Sequence, residues 1–162
     1  MTESFLKYLQ FEKRLSPNTF RAYSNDLNQF TGFLNASFAG LPLEEASYSI
    51  IRSWIVQLVE QGIDPSSVNR KIACLRSFYK FLMIQEVISK DPMAKISVLK
   101  APRRLPSFVK ETDMNNLLDN VPFANDLEGL RDKLILEMFY ATGIRLTELI
   151  TLKENQLDLR NG

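Results

Sequence analysis

The residues best suited to chemistry lie late in the chain, in Tyr140-Ala141-Thr142-Gly143-Ile144-Arg145-Leu146-Thr147-Glu148-Leu149. A guanidinium such as that of Arg145 offers paired N–H donors that match phosphate or carboxylate oxygens, and it does not lose its proton. Gly143 is suited to end the preceding helix and turn the backbone ahead of Arg145. Glu148 follows three residues later, one helical turn on, where an ion pair can hold Arg145 in place. Taken alone, the stretch also fits a plain corner between two helices with an ordinary surface ion pair.

A second set sits earlier. After Asp64-Pro65-Ser66, residues Val68, Ile72, Leu75, Tyr79 and Leu82 step by four, three, four and three, which predicts a long helix with one apolar stripe. Its opposite side carries Asn69, Arg70, Arg76 and Lys80, with Lys71 on the flank. Such a face can neutralise phosphates or enter a major groove. Asn69 and Arg70, near the helix start, are placed to reach base edges, and Arg76 and Lys80 to meet phosphates. A charged outer face is equally what a solvated helix presents. Thr19 and Arg21 extend the set to an earlier helix, whose polar face also holds Asp26.

Composition narrows the chemistry. The 162 residues contain no histidine, which removes imidazole acid–base catalysis, Ser/Cys–His nucleophile pairs and His-based metal sites. The single cysteine, Cys74, allows no internal disulfide and no Cys cluster for zinc, so it is expected to pack as a small apolar residue. No metal or cofactor is expected. Hydrophobic residues at 45% and charged residues at 24% fit a globular protein. No apolar run nears the roughly 20 residues that cross a bilayer, and the N-terminus lacks a signal pattern, so a cytoplasmic location without membrane contact is expected. Net charge is only +1, yet residues 1–104 carry 14 Lys and Arg against 9 Asp and Glu, while 105–162 carry 6 against 10. The chain is basic first and acidic later.

The elements that must position these residues are helices. Phe5, Leu6 and Leu9 predict a short first helix. Ser16-Pro17, an N-cap followed by proline, opens a second with Phe20, Tyr23, Leu27, Phe30 and Leu34 on one stripe. Ser49 to Gln61 predicts a third, stopped by Gly62, with Ile51, Trp54, Ile55 and Leu58 inward. Trp54 and the phenylalanines are assigned to the core. The stretch Ala94–Pro106, with basic residues, two prolines and no clear period, reads as a linker. Beyond it, Thr112–Leu118 and a helix from Asp126 to Gly143 follow, the latter with Leu127, Leu130, Leu134, Met138 and Ala141 expected inward. One or two further turns span Thr147–Leu152. Asn161-Gly162 is a favoured hairpin turn, so a sheet is expected to begin there. The fold class is all-α, divided as a helical unit over 1–93, a linker over 94–106 and the first helices of a second unit over 107–162.

Three stretches together resemble the tyrosine recombinase (phage integrase) family, in its bacterial Xer type. They are Leu15-Ser16-Pro17-Asn18-Thr19-Phe20-Arg21-Ala22-Tyr23-Ser24-Asn25-Asp26-Leu27, then Ser66 through Leu82, then Gly129-Leu130-Arg131-Asp132 leading to Tyr140–Leu149. Arg103-Arg104-Leu105-Pro106 lies where that family joins its two domains. The resemblance implies a four-helix SAM-like core-binding domain that clamps double-stranded DNA, a basic linker, and the start of a mostly α catalytic domain. It implies DNA contacts from Thr19, Arg21, Asn69, Arg70, Lys71, Arg76, Lys80, Arg103 and Arg104. It makes Arg145 the first of two catalytic arginines, gripping the attacked phosphodiester as charge builds on its oxygens, and Glu148 its orienting partner. The family's tyrosine nucleophile, hairpin lysine, second arginine and histidine positions belong downstream of residue 162. These residues are therefore expected to bind DNA without cutting it. The complete protein would cut and rejoin DNA through a 3′-phosphotyrosyl intermediate, working with itself or a paralogous recombinase in a tetramer. The competing readings are a non-enzymatic helical DNA-binding regulator and a helical protein-interaction adaptor; the basic face favours DNA, and only the Arg145 motif separates recombinase from regulator.

Overall fold

A computed structural model describes residues 1–102, 107–120 and 122–157. All regular elements among them are helical. They fall into two compact units, Met1–Arg103 and Arg104–Gly162.

In the first unit, α1 (Thr2–Lys7) runs into a single π-helical turn, Tyr8–Glu12, and sends Phe5 and Leu9 inward. Helix α2 (Pro17–Ser37) starts where expected. The Ser16 hydroxyl accepts the Thr19 amide at 3.3 Å, and Pro17 occupies the first position, where no amide hydrogen is needed. Its Leu27, Phe30 and Leu34 are fully buried. Helix α3 (Tyr48–Glu60) buries Ile51, Trp54, Ile55 and Leu58, with the Trp54 ring 4.8 Å from that of Phe30. Each fully buried side chain of this size is worth about 1.5–3 kcal/mol over leaving it in water.

Helix α4 (Pro65–Ile84) is the centre of the unit. Asp64 caps it, its carboxylate accepting the Ser66 amide at 2.8 Å. The predicted stripe, Val68, Ile72, Leu75, Tyr79 and Leu82, is buried. So are Lys71, Cys74, Phe78 and Phe81 beside it. Two stripes are covered because α4 packs against both α2 and α3, while Phe5 of α1 meets Phe78 edge-on at 5.3 Å. The Tyr79 hydroxyl donates to the Leu43 carbonyl at 2.8 Å, and burial pushes its pKa well up.

The stretch expected to be a linker from Ala94 is fastened to this unit over its first half. Met93 and Ile96 are buried, and Leu99 packs on the core. Arg103-Arg104-Leu105-Pro106 and Asn161-Gly162, where the hairpin was expected, lie outside the described residues.

The second unit contains α5 (Glu111–Asn120), packed on α6 (Leu127–Thr142), then α7 (Leu146–Ile150). Asp126 caps α6 by accepting the Gly129 amide at 2.8 Å. A side chain at Gly129 would put its Cβ 2.0 Å from the Ala124 carbonyl oxygen, so only glycine fits that crossing. The apolar stripe of α6 is a correction to the sequence reading: Leu127, Leu130, Leu134 and Ala141 are exposed, not inward, and Met138 is half-buried. A helical period creates a face, but a face is buried only where another element covers it. Phe11 and Phe108, assigned to the core with the other phenylalanines, are exposed too.

Candidate functional site

Arg145 owes its position to a run of local bonds. The Thr142 hydroxyl donates to the Met138 carbonyl at 2.6 Å and accepts the Ile144 amide at 3.2 Å. Gly143 takes the left-handed conformation, φ 64°, and its amide donates to Phe139 O. This ends α6 and turns the chain, so that Arg145 becomes the N-cap residue of α7 in extended backbone. Glu148, in the first turn of α7, folds back on it. Oε2 accepts the Arg145 amide at 2.9 Å, and Oε1 meets Nη1 at 2.9 Å. Both bonds stabilise the ionised carboxylate, which holds the Glu148 pKa below its usual value. The Arg145 side chain remains 81% exposed. It is therefore oriented by its own helix turn while most of its donors face solvent.

In the first unit the predicted binding residues separate into three groups. Arg21 on α2 and Lys80 on α4 are exposed, and Thr19 is half-buried, its hydroxyl 2.9 Å from that of Ser16. Asn69 and Arg76 are occupied by the protein itself. The Asn69 amide donates to Leu99 O at 2.9 Å and accepts the Leu99 amide at 2.7 Å, while Arg76 Nη2 donates to Ile96 O at 2.8 Å. These three bonds strap residues 96–99 onto α4, and they engage both the donor and the acceptor end of the Asn69 amide.

Arg70 and Lys71 form the third group, with Asp26. Asp26 is 1% exposed and Lys71 5%. Lys71 Nζ donates to Asp26 Oδ1 at 2.8 Å and to Gln29 Oε1 at 2.5 Å. Arg70 Nη1 donates to Asp26 Oδ2 and to the Ala22 carbonyl. Lys71, expected on the DNA-facing flank, is thus inside the α2–α4 packing. Its position was readable: Lys71, Cys74, Phe78 and Phe81 step by three, four and three, a second apolar stripe on which the lysine sits. Asp26, beside Leu27 on the buried side of α2, is its complement and was missed as such.

Cys74 completes this contact, its thiol 3.5 Å from the Tyr23 carbonyl. Burial, helped by the Asp26 charge, pushes its pKa up to about 12. Among the described residues, no group of three or more Cys, Asp or Glu is arranged to hold a metal, and no helix is long and apolar enough to cross a membrane. Arg103 and Arg104 lie outside the described residues.

Residues 2–86 match the family described as phage integrase, N-terminal SAM-like domain. Among curated relatives, the tyrosine recombinase XerC of Bacillus pumilus is 36% identical over 156 residues, covering 96% of this chain and 50% of that protein. The tyrosine recombinase XerD of Shewanella oneidensis is 38% identical over 162 residues, covering 100% of this chain and 53% of that protein. The chain thus spans about half the length of the curated relatives it matches. The Tn1549 transposon integrase, solved in complex with circular intermediate DNA, shares the fold at a TM-score of 0.70 and 16% identity, over 99% of this chain and 51% of that one. Family model, relatives and fold agree with the three sequence motifs: the chain belongs to the phage integrase family of tyrosine recombinases.

Proposed function

We propose that these 162 residues are the DNA-gripping unit and the first catalytic arginine of a cytoplasmic site-specific recombinase. The observation that carries the catalytic half is the double hold of Glu148 on Arg145, which presents a fixed, solvent-facing guanidinium at a helix start. Such a group stabilises the charge that develops on non-bridging phosphate oxygens when a nucleophile attacks. The DNA-binding half is supported by the basic balance of residues 1–104 and by the exposed Arg21, Arg70, Arg76 and Lys80. Thr19, Arg103 and Arg104 add further DNA contacts in this reading. Lys71 serves it from inside, and Asn69 serves it by holding the strap.

In the complete recombinase a tyrosine attacks the phosphodiester, giving a 3′-phosphotyrosyl link and a free 5′-hydroxyl. The bond energy stays in that link, so neither ATP nor a metal is needed. The partners are duplex DNA and further recombinase subunits, its own or a paralogue's, in a tetramer. Residues 1–162 alone bind DNA and do not cut it, since one arginine without its catalytic partners gives no useful rate. The test is a titration of labelled duplex across salt concentrations, beside a nicked suicide substrate that traps covalent adducts. Salt-dependent binding without adducts supports the reading. Salt-insensitive binding, or adducts from these residues alone, overturns it.

A further inference from the structure

We infer that Asp26 is a positioning residue for Arg70, and that buried Lys71 is there to keep the pair cationic. The inference rests on the DNA-binding reading above and adds a role for two buried residues.

The geometry is specific. One carboxylate, sealed between α2 and α4, meets two cations through different oxygens: Lys71 on Oδ1 and Arg70 on Oδ2. Lys71 is buried with it, and its ammonium donates a further hydrogen bond to Gln29 Oε1. Arg70 differs. Both of its bonds use Nη1, to Asp26 and to the Ala22 carbonyl, and its side chain stays 42% exposed. Its planar fork is therefore pinned at one corner while the remaining donors face outward. A long side chain pinned this way has little rotamer freedom left to lose when it meets a phosphate.

Charge explains the lysine. An Asp26–Arg70 pair alone would be neutral and would offer a phosphate little attraction. With Lys71 the triad carries a net positive charge, and the only part of it open to solvent is the guanidinium. A buried charge needs compensation and hydrogen-bond partners, and this cluster has both: among the described residues no buried side-chain nitrogen or oxygen lacks a partner.

Positioning and bulk electrostatics give opposite signs, which makes the inference testable. Asp26→Asn raises the net charge by one, so charge alone predicts tighter DNA binding, whereas loss of positioning predicts weaker binding. Because Asp26→Asn strands buried Lys71, can unfold the unit and keeps one oxygen able to hold Nη1, the decisive variant is Asp26→Leu with Lys71→Met. It removes one charge of each sign, leaves the net charge unchanged and keeps the volume of the lysine stem. The probe is a fluorescein-labelled random-sequence duplex, titrated by anisotropy at several salt concentrations, with circular dichroism confirming the helical fold.

The double variant should bind several-fold more weakly than the parent chain. The magnitude of its log–log salt slope should fall by roughly 0.9, the loss of one phosphate contact. Arg70→Ala should do the same, and adding it to the double variant should change little more, because the three residues act as one unit. A folded double variant that binds as tightly as the parent, or tighter, overturns the inference and leaves the DNA reading intact. So does a full further loss on adding Arg70→Ala. A parent chain that does not bind the duplex overturns both.

Discussion

Glu148 holds Arg145 at both ends of the residue, accepting its backbone amide through Oε2 and pairing with its guanidinium through Oε1, each at 2.9 Å. One carboxylate thus starts α7 and sets the direction of the side chain it caps. Helix initiation and guanidinium placement are the same interaction.

In a complete recombinase, Arg145→Ala should lower the rate of covalent adduct formation on a nicked suicide substrate by at least about 100-fold, on the order of 3 kcal/mol, by analogy with loss of an oxyanion donor. Arg145→Lys should recover little, because an ammonium cannot reproduce two parallel bonds. Glu148→Ala should be milder. The proton affinity of Glu148 is lowered in the folded chain, so its support is present above the ordinary carboxylate range and lost as pH falls through the lowered value. Adduct formation that is undiminished in Arg145→Ala would refute the assigned role.

Duplex binding by residues 1–162 should weaken steeply with salt. Four phosphate contacts give a log–log slope of roughly −3.6. Lys80→Glu should reduce affinity across all sequences alike, since a phosphate contact positions the protein without reading bases. An anisotropy titration at several salt concentrations measures both.

Asn69→Ala should free the strap at residues 96–99. Two half-buried hydrogen bonds are lost, which costs about 1–3 kcal/mol. Trypsin should then cut after Lys95 and Lys100 roughly tenfold faster, the factor that about 1.4 kcal/mol of local stability represents. DNA sequence preference should not change. A changed preference with an unchanged digestion pattern would assign Asn69 to base reading instead.

Cys74 should resist alkylation in the native chain at neutral pH and react on unfolding. Its pKa is raised from 9.0 to about 12, so the folded state keeps a proton that the unfolded state releases. The associated stability is fully present below about pH 9 and is lost as pH rises toward 12. At pH 10 the loss is on the order of 1 kcal/mol. Urea midpoints at pH 7 and pH 10 should show the fall, and Cys74→Ala should narrow the difference between them, Tyr79 supplying part of what remains. A midpoint difference unchanged by that substitution would contradict the account.

Caps, prolines and three-or-four spacing are local signals, so the helices and their order are legible in the amino-acid sequence. Ser16-Pro17, Asp64-Pro65 and Gly143 mark boundaries that the structure reproduces within a residue or two. The Arg145–Glu148 pair was legible for the same reason: its partners are one helical turn apart. Tertiary structure decided which faces are covered, and therefore which charges can meet a ligand. Lys71 and Asp26 are 45 residues apart in sequence, so their burial depends on how α2 docks on α4, which no local period encodes. Asn69 and Arg76 lie on the polar side of α4 as expected, yet their hydrogen bonds go to a strap 20 to 30 residues downstream. The exposed leucines of α6 teach the converse: an apolar stripe predicts a helix reliably, but burial is supplied by a neighbour, and Leu127, Leu130 and Leu134 stay exposed.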